Sequence, residues 1–247
     1  MERGNLKSSE FSKTTEITND TFRQKGFAMP VKQHPTHFKP ISPATLKAFA
    51  KIPAAVASDT LSRGQTMQGG ITPLSPSMKL LGQARTAECP VGDNSAIRAA
   101  IGLCETGQVI VANAQGYENT AVFGGLMTLY ARERGVAGLV IDGAVRDAAE
   151  IITANLPMFA RATCPRGPQK NGHGTVDGIV AVGGVSVSPG DLIIGDADGI
   201  TVVPYAQIET CLAGAQEVLR KEAAILETLK NGGSLADIYG AVEVEKL

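Results

Sequence analysis

The chain has 247 residues, of which 43% are hydrophobic and 4% aromatic, and its formal net charge is −1. That composition suits one large domain with an aliphatic core, and the charge gives no reason to expect a nucleic acid or a membrane as partner. The four cysteines show neither metal-site nor disulfide spacing: Cys89, Cys104, Cys164 and Cys211. There is no bilayer-spanning apolar stretch and no signal-like N-terminus. We therefore expect a cytoplasmic protein.

The first part of the chain predicts an N-terminal extension followed by alternating helices and strands. Residues 1–40 are polar and interrupted by prolines, and a single domain is predicted over residues 41–240. Its first helices are predicted over 43–50, 54–62 and 93–103, and its first strands over 81–88 and 108–112. Ser42 is a suitable N-cap for the first helix. The polar residues 113–120 predict a loop.

Residues 124–147 read GGLMTLYARERGVAGLVIDGAVRD, and the functional interpretation depends on them. Two glycines precede a predicted helix, which Gly135 ends in the manner of a C-cap. The apolar run 136–141 predicts a strand buried on both faces. Asp142-Gly143 is typical of a turn, and Arg146-Asp147 follow it. Because open α/β sheets bind ligands at the carboxyl ends of their strands, we expect the chemistry here.

The second part of the chain, from residue 146 onward, predicts that the α/β alternation gives way to a β meander and a terminal helix. A helix over 146–154 and a strand over 158–162 come first, and a basic loop over 164–174 follows. Short strands are then predicted over 179–182, 185–187, 191–195 and 200–203. Asp198-Gly199 indicates a hairpin, and residues 205–230 predict one long helix.

Candidate binding groups lie at both ends of residues 124–147. The glycine loop consists of Gly124, Gly125, Leu126 and Met127. Backbone N–H groups at the positive end of a helix suit an anion, although the loop taken alone is also explained by a plain tight turn. Arg146 carries a fork of donors suited to a carboxylate or an enolate. Asp147 is an oxygen ligand suited to Mg²⁺ or Mn²⁺, but such a pair is also common on surfaces.

The terminal helix carries an apolar stripe that Glu222 interrupts. The stripe consists of Ile208, Leu212, Ala215, Leu219, Leu226 and Leu229. A carboxylate in an apolar seam must be paired, bind a metal or lie at an edge. Alternatively, the stripe passes through Ala223 and Glu222 is solvated. In the loop before the meander, Lys170, His173 and Asp177 could close over a site.

Three segments carry a resemblance to a known family. Residues 124–147, the segment VSVSPGDLIIGDADGITVVP over 185–204, and Arg220-Lys221-Glu222 are similar to one family in particular. It holds class II 4-hydroxy-4-methyl-2-oxoglutarate aldolases and the regulator of ribonuclease E activity A. The likeness covers about residues 43–235. It implies an α/β/α sandwich with a swivelling β/β/α-type core, assembled as homotrimers or homohexamers with sites between subunits.

The resemblance also implies roles for the candidate residues. The amides of residues 124–127 would bind the carboxylate of a pyruvyl group, and Arg146 would contact the oxygen that becomes the enolate. Asp147 would hold Mg²⁺ or Mn²⁺, and Glu222 of the adjacent subunit would face that metal. Family aldolases often carry an acidic residue where this chain has Gly125. That departure bears on which reaction the site performs.

These observations favour a divalent-metal-dependent lyase that cleaves a 4-hydroxy-2-oxo acid to pyruvate. Substrates of the 4-hydroxy-4-methyl-2-oxoglutarate or 4-carboxy-4-hydroxy-2-oxoadipate type are expected. Decarboxylation of oxaloacetate would pass through the same enolate. A Schiff-base aldolase using Lys170 or Lys221 is a rival within the class. A non-catalytic ring that binds and inhibits a protein partner is the alternative from another class.

Overall fold

A computed structural model describes residues 29–245 of the chain. The helices are α1 (Pro43–Phe49), α2 (Ala54–Thr60), α3 (Ser95–Leu103), α4 (Gly125–Glu133), α5 (Ala148–Thr153), α6 (Ile208–Lys230) and α7 (Leu235–Tyr239). The first strands are β1 (Lys32–Gln33), β2 (Thr72–Pro73), β3 (Leu80–Glu88), β4 (Val109–Ala121), β5 (Gly138–Val145) and β6 (Met158–Thr163). The later strands are β7 (Thr175–Val176), β8 (Val180–Val182), β9 (Val185–Val187), β10 (Leu192–Asp196) and β11 (Gly199–Val203).

A nine-stranded sheet organises the domain, with the order β1-β7-β3-β4-β5-β6-β2. Strands β3 to β6 run parallel, while β10 pairs with β3 in the antiparallel direction and continues into β11. Strands β8 and β9 form a separate hairpin. This mixed sheet confirms the predicted α/β class. Because β4, β5 and β6 are parallel, their carboxyl ends lie at one edge of the sheet, where residues 122–124 and 146–147 emerge.

Three hydrophobic clusters fill the space around the sheet. Side chains alternate between its faces, so Ile110 of β4 lies in the first cluster and Val111 in the second. The first cluster packs α3, α4 and α5 against the sheet. The second joins the sheet to the β8–β9 hairpin. The third packs α1, α2 and the start of α6 on the β10–β11 hairpin.

Several local predictions are confirmed. Helix α1 begins after Ser42, whose hydroxyl accepts a hydrogen bond from the N–H of Thr45. Gly135 follows α4 with a φ of +73°, the left-handed conformation of a C-cap. Asp198-Gly199 closes the hairpin between β10 and β11. Each of these signals depends on neighbouring residues alone, which is why sequence reasoning finds them.

Two predictions near the centre of the sheet are wrong. The polar residues 113–120 belong to strand β4, which pairs with β5 through two register shifts. Asp142-Gly143 is not a turn either, because β5 continues to Val145. Asp142 is buried there, where it pairs with Arg161 and accepts a hydrogen bond from the N–H of Gly183 at 2.8 Å. The longer strand brings Arg146 and Asp147 directly to its carboxyl end.

Helix α6 divides into a packed half and an exposed half. A short 3₁₀ turn at Tyr205–Gln207 precedes it, so the helix begins slightly later than predicted. Its first half packs on the third cluster through residues of the predicted stripe: Ile208, Leu212, Ala215 and Leu219. Beyond these the stripe is not covered, since Leu226 is 56% exposed. None of the helices within residues 29–245 combines the length and apolar character that crossing a membrane requires.

Candidate functional site

Two strand-to-helix connections at the carboxyl edge of the sheet form the site. One leads from β4 into α4 and the other from β5 into α5, and backbone hydrogen bonds join them. Val122 donates to the carbonyl of Ala144, and Arg146 donates to the carbonyl of Phe123, both at 2.9 Å. The glycine loop and the Arg–Asp pair are therefore in direct contact, as the sequence predicts.

The Asp147 carboxylate caps the helix that follows the glycine loop. The backbone of Asp147 is left-handed, with φ 57° and ψ 39°, a conformation that Asp tolerates better than most residues. Its Oδ2 atom accepts a hydrogen bond of 2.8 Å from the N–H of Gly125. That N–H is one of the groups for which α4 has no internal acceptor. The other carboxylate oxygen accepts no hydrogen bond from the described residues and remains available for a ligand.

The next two amides of α4 are free to bind an anion. Thr128 donates to the carbonyl of Gly124 and begins the helical ladder. The N–H groups of Leu126 and Met127 precede that bond, so helix geometry provides them with no acceptor, and no side chain of residues 29–245 supplies one. They lie at the positive end of α4, where a carboxylate or phosphate is favoured.

Glycines provide the close packing that positions Arg146. A Cβ on Gly124 would lie 2.6 Å from Asp147 Oδ2 and 2.9 Å from Arg146 Cγ, and a Cβ on Gly167 would lie 2.8 Å from Arg146 Nη1. Gly124 is extended, with φ −171°, so space and not backbone conformation requires glycine there. The Arg146 side chain is 43% exposed, and its Nε lies 3.6 Å from Asp147 Oδ2. Its guanidinium thus lies between the residue that precedes α4 and Gly167.

Sequence reasoning missed Asn94 as a site residue. It precedes α3 and is 3% exposed, and its Nδ2 donates to Met127 Sδ at 3.2 Å. Its Oδ1 is buried and accepts no hydrogen bond from residues 29–245. A buried amide oxygen without a donor costs free energy unless a ligand or water supplies one. The sequence offers an Asp-Asn-Ser series at a helix start, a pattern that is typical of helix capping and does not by itself indicate a ligand.

The loop over 164–174 lies beside the site, but Asp177 does not. Gln169 accepts from the N–H of Asn94 at 3.3 Å, and Asn171 donates to Asp93 Oδ2 at 2.6 Å. Asp177 is instead buried at 3% exposure, where it pairs with Arg85. The idea that Asp177 closes over the site is therefore wrong, because Asp177 is held inside the core by its ion pair with Arg85.

Glu222 is not brought to this site by its own chain. It lies on the exposed half of α6, and α6 packs on the third hydrophobic cluster, whereas α4 and α5 pack on the first. Between residues 29 and 245, no three His, Cys, Asp or Glu side chains come together closely enough to hold a metal. Any cation here would complete its coordination with water, substrate or another subunit.

The parallel strands of this α/β protein bring the free helix amides and the Arg–Asp pair together at the carboxyl edge of the sheet. Residues 54–202 match the model of the RraA-like family, described as Aldolase/RraA, and the chain belongs to that family. The match confirms the resemblance on which the sequence interpretation rested.

Relatives and solved structures agree with this assignment. A protein of Halalkalibacterium halodurans with the provisional name 4-hydroxy-4-methyl-2-oxoglutarate aldolase is 38% identical over 169 residues, which are 68% of this chain and 80% of the relative. An uncharacterized protein from Pseudomonas syringae has a TM-score of 0.72 at 27% identity, covering 83% of this chain and 96% of that one. The RNA-processing inhibitor RraA from Thermus thermophilis has a TM-score of 0.58 at 30% identity, covering 62% and 93%.

Proposed function

We propose that the protein is a divalent-metal-dependent lyase that cleaves a 4-hydroxy-2-oxo acid to pyruvate and also decarboxylates oxaloacetate. Substrates of the 4-hydroxy-4-methyl-2-oxoglutarate or 4-carboxy-4-hydroxy-2-oxoadipate type fit this proposal. The observation that carries it is the convergence of two unused helix amides, one guanidinium and one carboxylate at a single strand end. The provisional aldolase name of the Halalkalibacterium relative supports the same reaction class.

The chain's own groups suit a pyruvyl substrate. The N–H groups of Leu126 and Met127 would bind its carboxylate at the positive end of α4. Arg146 would donate to the 2-oxo oxygen, where negative charge grows as the C3–C4 bond breaks. Donors placed where charge develops stabilise the transition state more than the ground state. The same two contacts serve decarboxylation of oxaloacetate, because both reactions produce the enolate of pyruvate.

Asp147 fits the role of a cation ligand. One of its carboxylate oxygens is engaged with the N–H of Gly125, and the side chain is 37% exposed. Mg²⁺ is commonly held by one or two carboxylates, with water and substrate completing its shell. A bound Mg²⁺ or Mn²⁺ would supply Lewis-acid stabilisation of the enolate oxygen. The Arg146 guanidinium would keep the substrate oriented beside it.

A neighbouring subunit would complete the site. We infer a homotrimer or homohexamer in which Glu222 of one subunit faces Asp147 of the next. The support is that α6 extends beyond its own packing surface after Leu219, with Glu222 and the apolar side chain of Leu226 exposed. Contiguous exposed apolar side chains mark interaction surfaces, and Leu229 on the same half of α6 is exposed as well.

The lysine alternative has less support than the metal mechanism. A Schiff-base lysine is activated by apolar or cationic surroundings. Lys221 is exposed, and its Nζ lies 3.8 Å from Glu217 Oε1. Lys170 is exposed in its loop. Neither lysine lies among the hydrophobic clusters.

The test is pyruvate release from a panel of 4-hydroxy-2-oxo acids and oxaloacetate, with the wild type and Arg146→Ala. Removal of a donor to the developing oxyanion should lower kcat by roughly 10²–10³-fold. Arg134→Ala is the control, because Arg134 donates to the carbonyl of Gly102 on the exposed surface and should not affect turnover. Absence of pyruvate from every substrate, or turnover indifferent to Arg146→Ala, would contradict the proposal. That result would favour the inhibitory role that the Thermus neighbour's name gives.

A further inference from the structure

The side chain of Asn94 is a buried amide that the fold leaves largely unused. Asn94 directly precedes α3, but its side chain makes no capping hydrogen bond, and Asp93 Oδ1 accepts from the N–H of Ser95 at 2.7 Å in its place. Its Nδ2 donates to Met127 Sδ at 3.2 Å, and sulfur is a weak acceptor. Its Oδ1 is buried and accepts no hydrogen bond from residues 29–245. A leucine of similar shape would fill this place without the cost of an unpaired acceptor.

Asn94 contacts two segments that belong to the site. The first is Met127, whose N–H is one of the two free amides of α4 and whose sulfur accepts from the Asn94 amide. The second is the loop after β6, where the carbonyl of Gln169 accepts from the N–H of Asn94 at 3.3 Å. Gly167 of the same loop packs against the guanidinium of Arg146, and two residues of chain span at most about 7 Å. The amide therefore lies next to the groups that would bind a pyruvyl substrate.

The unpaired oxygen of Asn94 requires a donor in the ligand, because an amide oxygen only accepts hydrogen bonds. The carboxylates and the 2-oxo group of a 4-hydroxy-2-oxo acid also only accept, so they cannot pair with it. The C4 hydroxyl is the group of this substrate class that donates. Oxaloacetate has no such hydroxyl and would leave the oxygen unpaired, at a cost in binding free energy.

We propose that Asn94 is a specificity-determining residue whose Oδ1 accepts a hydrogen bond from the C4 hydroxyl of the substrate. This inference rests on the proposed function for the substrate class. The Met127 side chain that contacts the amide is unbranched and adaptable, so it can move to admit the hydroxyl. A site built to pair with a substrate hydroxyl discriminates against an analogue that lacks it. Asn94 thus favours cleavage of the hydroxy acid over decarboxylation of oxaloacetate.

Pyruvate release from 4-hydroxy-2-oxoglutarate and from oxaloacetate, with Mg²⁺ present, tests the proposal through the ratio of the two kcat/KM values. Asn94→Leu removes the acceptor and should lower the ratio roughly 10-fold, because turnover of the hydroxylated substrate alone is slowed. Asn94→Asp keeps an oxygen acceptor. Its charge weakens the binding of both anionic substrates, so both rates should fall while the ratio stays near that of the wild type.

Gln83→Leu is the matched control, because Gln83 is also a buried amide but has a full set of partners. It accepts from the N–H of Ile41 at 2.8 Å and donates to the carbonyls of Lys39 and Gly190 at 3.2 and 3.1 Å. Its loss should lower the unfolding temperature and leave the ratio unchanged. Asn94→Leu should show the opposite behaviour, with an undiminished unfolding temperature and a lower ratio.

Separate readouts keep this inference distinct from the proposed function. Unchanged pyruvate release from 4-hydroxy-2-oxoglutarate by Asn94→Leu would overturn the role of Asn94 and uphold the lyase. No release from this acid by the wild type would overturn the lyase. Because the acid is then not consumed, calorimetric titration with it and with 2-oxoglutarate, which lacks only the hydroxyl, decides the role of Asn94. Tighter binding of the hydroxylated acid by the wild type but not by Asn94→Leu would uphold that role, and equal affinities would refute it.

Discussion

At the scale of single residues, the site depends on glycines, which leave space for their neighbours, as much as on its charged side chains. Gly124 and Gly167 let Arg146 and Asp147 lie against the backbone, and Gly125 leaves space for Glu150. Asp147 then has two tasks, since one oxygen caps α4 and the other is available for a ligand. Small displacements here should therefore affect catalysis far more than stability.

Gly124→Ala should nearly abolish pyruvate release without unfolding the protein. The new methyl group would lie 2.6 Å from Asp147 Oδ2 and 2.9 Å from Arg146 Cγ, so both side chains must move. A misplacement of this size typically costs roughly 10²-fold in rate. Gly69→Ala is the control, because a Cβ there meets nothing within 4 Å. Equal turnover of the two variants in a pyruvate assay would show that the packing around Gly124 is irrelevant to function.

The four thiols should differ in reactivity, with Cys164 labelled first. Burial raises the pKa of Cys89 to about 12 and that of Cys104 to about 11, and burial also raises the pKa of Cys211. Because the thiolate is the reactive form and a raised pKa keeps these groups protonated at pH 8, iodoacetamide should leave them unmodified. Cys164 is half-buried. Peptide mapping after brief labelling checks this order, and denaturant should expose all four equally.

At the scale of the elements, one buried ion pair attaches the strands at one edge of the sheet to its centre. Arg85 of β3 donates to Asp177 Oδ2 at 2.9 Å, and Gln33 of β1 donates to the same oxygen at 2.9 Å. The side chains of Arg85 and Asp177 are 8% and 1% exposed. Asp177 directly follows β7, so these bonds join β1, β3 and the end of β7.

Asp177→Asn should destabilise the fold by roughly 3–5 kcal/mol, because it leaves the Arg85 charge buried without an opposite charge beside it. Asn tolerates the left-handed backbone of residue 177, so the change removes the charge and little else. Asp59→Asn is the matched control, since Asp59 pairs with Arg63 on the surface and should cost only about 0–1 kcal/mol. Urea unfolding measures both, and equal midpoints would refute the importance of the buried pair.

Sequence reasoning succeeds for elements whose signals are local and fails where distant contacts decide. The helix after the glycine loop and the β10–β11 hairpin have short-range signals, and both are found. Strand β4 is longer than predicted because its polar residues pair with β5, which no local pattern indicates. Asp142 has the sequence of a turn but is held in a strand by Arg161 and Gly183. The contact between Gly125 and Glu150 likewise joins two helices, and the spacing of apolar residues in the sequence does not indicate it.

At the scale of the whole molecule, the exposed half of α6 carries side chains whose position a single subunit does not explain. Glu222 and Leu226 are exposed on it, and the proposed function places Glu222 in the site of a neighbouring subunit. Light scattering after size-exclusion chromatography should give the mass of a trimer or hexamer.

Subunit mixing should reveal whether sites are shared. Arg146→Ala and Glu222→Gln chains should each release little pyruvate, since each lacks one half of every site. Hetero-oligomers formed by co-expression should regain activity, because some interfaces then join an intact Arg146 to an intact Glu222. Glu227→Gln, also exposed on the same half of α6, should behave as wild type. Activity of the mixture equal to that of its parents would place the complete site within one chain.

The most direct test of the metal-dependent lyase is pyruvate release from 4-hydroxy-4-methyl-2-oxoglutarate by the wild type before and after chelation. Activity should disappear in EDTA and return when Mg²⁺ or Mn²⁺ is added in excess, because the enolate oxygen would lose and regain its Lewis acid. Asp147→Asn should show the same loss and no recovery at the same cation concentration. Undiminished pyruvate release in EDTA would contradict the metal-dependent mechanism.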